Sequence, residues 1–161
     1  MLIGISISII LIILAIQDIK SRHINGWYLI PLFIFILIQA LLQQNNMYVF
    51  TNIGFNIAFL SIQFLMVSLF YFVKEKQFNF VNTKLGIGDI GMFLVICIGF
   101  SIKSFLFFYI LTLIMSIILS IITKEKKQTN NKTIPLVSYI AMNYIIWYWL
   151  GVILHKNLVY L

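Results

Sequence analysis

Two aspartates, the only ones in the chain, stand 71 positions apart: Asp18 in AIQDIKSRHI and Asp89 in KLGIGDIGMF. Each lies at the edge of an apolar run. Two carboxylates within hydrogen-bonding reach do not both ionise easily, so they share a proton and one stays acidic while the other stays basic. The ionised member can draw a proton from water while the neutral member donates to a carbonyl oxygen. That is general acid–base hydrolysis of an amide, with no metal, cofactor or covalent intermediate. Gly86 and Gly88 remove side chains beside Asp89 and leave room for another backbone, either a neighbouring helix or an extended substrate.

Plainer roles exist for each of these residues. Asp89 can serve as the N-cap of a helix, satisfying free backbone N–H groups. Asp18 can pair with Arg22, four residues on. Yet Asp18 falls near the end of its helix, where the helix dipole disfavours a carboxylate, and ionisable groups at membrane depth are candidates for function by default. Gly86 and Gly88 can simply pack helices, and Gly91 and Gly99 read as a helix-contact face. Glu75 and Glu125 sit in KEK runs and read as solvated loop charges. His23 and His155 read as interfacial and dispensable. Cys97 reads as a small buried residue, since a lone cysteine forms neither an internal disulfide nor a paired metal knuckle.

The elements that must position the aspartates follow from composition. Of 161 residues, 62% are hydrophobic and 9% charged, more apolar surface than a water-soluble fold of this size can hide. The net charge of +7 is not a nucleic-acid footprint, because the basic residues fall in short gaps between apolar runs. Six apolar segments, about 1–17, 27–42, 53–73, 85–102, 104–123 and 134–154, predict an all-α membrane protein: a bundle of six transmembrane helices. Residues 1–161 read as one polytopic domain, and the first segment reads as a retained helix with no signal-peptide cleavage site. Pro31 is expected to kink the second helix. Pro135 suits the first turn of the sixth.

Lysine and arginine fix an expected topology. Nine of them (Lys20, Arg22, Lys74, Lys76, Lys84, Lys124, Lys126, Lys127 and Lys132) lie in odd-numbered gaps, against Lys103 and Lys156 on the other side. The odd gaps are thus expected in the cytoplasm and both termini outside. Trp147, Tyr148 and Trp149 then mark the outer interface, and Trp27 and Tyr28 the inner. Seventeen helical residues reach about 26 Å, which brings Asp18 to the inner edge of the hydrocarbon. To span, the fourth helix must start near Leu85, which puts Asp89 about 5–6 Å below the same surface.

These residues form a known pattern. GIGD at 86–89, preceded by Lys84-Leu85, resembles the GxGD signature of the type IV prepilin peptidases. DIKSRHINGW at 18–27 resembles that family's first motif. KTIPLVSYIA at 132–141 is similar to a weakened form of a third stretch, usually IPFGP, near the start of the last helix. The resemblance implies an aspartic endopeptidase of the cell membrane with Asp18 and Asp89 catalytic and Gly86 and Gly88 as the motif glycines. Its implied partners are the bilayer and a prepilin or pseudopilin precursor, cut between a basic leader and an apolar segment at the cytoplasmic face. The departures are Gly91, where the family often has lysine, and Val137-Ser138, where Gly-Pro is common. The cysteine-paired extension that larger members use for N-methylation is not in the sequence, which resembles a short, peptidase-only form. Two other readings stand beside this one. The first is a non-proteolytic transporter or accessory subunit that binds protons or cations at the two aspartates. The second is a GxGD protease acting on another small membrane peptide.

Overall fold

The computed structural model describes residues 2–21, 23–75, 86–124, 135–154 and 159. Arg22, Lys76, Lys84, Leu85, Glu125, Lys126, Lys127, Lys132, His155 and Lys156 lie outside the described residues, as does the side chain of Glu75.

All regular structure among the described residues is helical. The helices are α1 (Leu2–Ser21), α2 (Leu29–Gln43), α3 (Asn46–Glu75), α4 (Ile87–Ile96), α5 (Ile102–Lys124) and α6 (Leu136–Ile153). Short 3₁₀ turns, Gly26–Tyr28 and Cys97–Gly99, lead into α2 and out of α4. Five helical segments are long and apolar enough to cross a membrane, and α4 with its 3₁₀ turn forms a shorter sixth.

Helix α1 shows how such a bundle is sorted. Ile5, Ile9, Ile12, Ile16 and Ile19 recur at spacings of three and four and are exposed, the face a bilayer would cover. Ile7, Leu11, Leu14 and Asp18 recur in the same way and are buried. The carboxylate therefore continues the inward stripe of its helix. That stripe packs mainly on α6, which runs antiparallel to α1. Ser138 contacts Ala15 and Asp18 at one end, and the Trp149 indole N–H donates to Ser8 Oγ (3.1 Å) towards the other. Tyr148 lies over Gly4, so the aromatic cluster of α6 grips the start of α1.

Three expectations need correction. The second gap, expected to run through residues 43–51, is only Gln44 and Asn45, because α3 already begins at Asn46. Thirty residues at 1.5 Å each reach about 45 Å, so α3 outlasts a hydrocarbon core of about 30 Å. Pro31 is not inside a long helix. It occupies the first turn of α2, where backbone N–H groups have no intrahelical partner to lose. The fourth segment, expected to be one helix from about 85 to 102, has ten α-helical residues and then a 3₁₀ turn. Its early end has a visible cause. The Asn56 side-chain amide, buried on α3, donates to the carbonyls of Cys97 (2.8 Å) and Phe100 (3.0 Å), which satisfies acceptors that a continuing helix would have used.

Helix α4 and its 3₁₀ turn together lead from the aspartate end towards the other end of the bundle. Moving along it and into the 3₁₀ turn, Gly88 faces Ile24, Gly91 faces Leu29 and Gly99 faces Ile36, so the segment runs parallel to α2 and uses its glycines for close approach. Ser101, just beyond, shares a polar recess with Gln44 and Asn45 at the far end of α2. Cys97 is fully buried, as a small apolar residue would be. Lys20 and Lys74 end α1 and α3 at the aspartate end, while Lys103 begins α5 at the other.

Candidate active site

Asp18 is 7% exposed in the last turn of α1. Both of its described donors come from one residue of α6: Ser138 gives its backbone N–H (2.9 Å) and its hydroxyl (2.8 Å) to Oδ2. The same hydroxyl oxygen lies 3.0 Å from the carbonyl oxygen of Ala15. Ser138 is completely buried.

Asp89 stands in the first turn of α4 and is half-buried. It is not itself the N-cap, the plainer role open to it from the sequence. Gly86 holds that position in an extended conformation, and Asp89, three residues on, reaches back to it. The Gly86 N–H donates to Asp89 Oδ2 (3.2 Å), and the Asp89 N–H donates to the Gly86 carbonyl (3.1 Å). The Asp89 carboxyl also lies near the backbone N–H of Val137 and within electrostatic reach of Asp18.

Two carboxylates from distant parts of the chain thus meet the start of one helix: the Ser138 N–H donates to Asp18, and Asp89 lies beside Val137. The reason is elementary. The first N–H groups of a helix have no partner within it, and Pro135 at the N-cap of α6 supplies no side-chain acceptor. The positive end of the α6 dipole, with donors to spare, faces negative groups.

The two glycines of the GIGD stretch differ. Gly86 is exposed, and a Cβ there would meet Asp89 Oδ2 at 3.1 Å. Gly88 is covered by Ile24 from the loop after α1, and a Cβ there would come within 2.6 Å of Ile24 Cγ1. Absence of a side chain at Gly88 lets Ile24 close over α4. His23, next to Ile24 in the chain, is exposed. Among the described residues no three His, Cys, Asp or Glu side chains gather to hold a metal ion.

Val137 and Ser138 are the residues that sequence reasoning passed over. They stood there only as departures from a motif. The signal available was positional: residues in the first turn of a helix, just after a proline, have N–H groups to give.

The sequence matches the profile of the type IV leader peptidase family over residues 5–121, nearly three quarters of the chain and both aspartates. The chain belongs to that family, and with its apolar helices it is a multi-pass membrane peptidase. The matched stretch stops short of α6. No curated protein and no solved structure matches the chain.

Proposed function

We propose that the protein is a membrane-embedded aspartic endopeptidase that removes the basic leader from prepilin-like or pseudopilin precursors at the cytoplasmic face. One observation carries the mechanism. The chain's two aspartates lie within electrostatic reach of each other at one end of the bundle, with Asp18 held by the Ser138 N–H at the start of α6. In this reading one carboxylate takes a proton from water and the other gives one to the scissile carbonyl oxygen, and the roles reverse as the amine departs. Family membership supports leader cleavage. The nine-to-two distribution of Lys and Arg supports the cytoplasmic side and termini outside.

Substrate recognition follows from charge. A basic leader gains nothing from a lysine-rich cytoplasmic face, so binding comes mainly from the substrate's apolar segment lying against the bundle. The leader is then drawn out past Asp18 and Asp89 with its backbone extended, and Gly86, the exposed motif glycine, leaves room for it. The test uses purified protein in liposomes and a synthetic peptide with a lysine-containing leader that ends in glycine before an apolar segment of about 20 residues. Halving the apolar segment should raise KM far more than replacing one leader lysine by alanine. The reverse ranking would show that acidic groups recognise the leader and would overturn this binding mode.

A second expectation concerns metals and histidine. The chemistry assigned to the carboxylate pair needs neither a bound ion nor an imidazole base. Cleavage in the same liposomes should therefore be unchanged by EDTA and by His23→Ala. A tenfold loss in either case would require a different catalytic group.

A further inference from the structure

Ser138 has a feature that the proposed chemistry leaves unused. Its hydroxyl carries one proton but lies between two acceptors, Asp18 Oδ2 at 2.8 Å and the Ala15 carbonyl oxygen at 3.0 Å. It can serve only one of them at a time. When the O–H points to Oδ2, it meets an ionised carboxylate. When it turns to Ala15, a lone pair faces Oδ2, and the carboxyl can donate its own proton to Ser138. Each state leaves every buried polar atom in the group with a partner, which matters because an unpaired one at such a site is costly. The Ala15 carbonyl, inside α1, has a second lone pair free for the purpose. A proline at this position could supply neither the N–H nor the hydroxyl.

We propose that Ser138 is a positioning residue for Asp18, whose hydroxyl turns between Asp18 and the Ala15 carbonyl as Asp18 gains and loses its proton. No proton leaves Ser138 in this motion; only the direction of its O–H changes. The backbone N–H of Ser138 holds Oδ2 in place in both states, so the carboxylate does not shift as its protonation alternates. The inference rests on the reading of Asp18 as one of the two working carboxylates.

Ser138→Ala is the informative change, because it removes the hydroxyl and keeps the N–H. It should lower kcat on the synthetic prepilin-like peptide about tenfold, with KM within about twofold, since only the orientation of a reacting group is affected. Ser138→Thr, which restores the hydroxyl, should recover most of the rate. A second measurement does not depend on cleavage. Infrared spectra of the whole protein in lipid should contain a carboxyl stretching band that Asp18→Asn deletes, and Ser138→Ala should move that band. An unmoved band, or a kcat equal to wild type in Ser138→Ala, overturns the proposal. If Asp18→Asn is inactive while Ser138→Ala behaves as wild type, only the role of Ser138 falls. If Asp18→Asn itself cleaves normally, the carboxylate-pair reading falls first.

Discussion

Asp18→Asn and Asp89→Asn should each abolish leader cleavage, with losses of at least roughly 10²–10⁴-fold, while the protein stays inserted and folded. The substitution nearly preserves shape. An asparagine oxygen at 18 can still accept from Ser138, and one at 89 can still accept from Gly86, so the anchors of both side chains on the helices survive. What disappears is the ability to take up and release a proton. Because the two carboxylates are assigned complementary roles in one step, the double variant should be no worse than either single one. Cleavage near the wild-type rate in either single variant, measured in membranes at equal protein level, would remove the pair from the mechanism.

The second large effect is expected at Gly88. A Cβ there would sit 2.6 Å from Ile24 Cγ1, well inside the 3.5–4.0 Å of ordinary carbon contact. The clash is near the root of the Ile24 side chain, so it cannot be relieved by moving a flexible tip. Gly88→Val should force the segment after α1 away from α4 and with it the relative placement of Asp18 and Asp89. A displacement of about 1 Å suffices to lose roughly a hundredfold in rate. Gly88→Ala should do less, and adding Ile24→Ala should recover much of the loss, because the two residues share one contact and their effects will not add. Purely additive losses in that double-variant cycle would mean that Gly88 acts on the substrate directly and not through Ile24.

Much of this arrangement is legible in the sequence, for a definite reason. A bilayer demands continuous apolar runs, so the helices announce themselves by length, and the charged residues between them are few enough to count. The two aspartates stand out against that background. Which face of each helix points inward is harder to read. In α1 the inward Ile7-Leu11-Leu14 stripe and the outward Ile5-Ile9-Ile12 stripe have the same chemistry, because lipid is as apolar as the core. Only the register of Asp18 marks the inward one. The break in α4 was hidden because its cause, Asn56, lies on another helix some forty positions earlier. The hydrogen bonds from Ser138 to Asp18 span 120 positions. They exist only once α1 and α6 pack antiparallel, and no local pattern records that.

The central claim is that this chain cuts a leader from an apolar-headed precursor by means of Asp18 and Asp89. The most direct measurement is the intact mass of a prepilin-like protein co-expressed with it, its leader ending in glycine before the apolar segment. With the wild-type chain, the account predicts a precursor shortened by the leader alone, with the new N-terminus at the start of the apolar segment. With Asp89→Asn, it predicts the full-length mass. A precursor left whole by the wild-type chain, or trimmed equally by the variant, would contradict it.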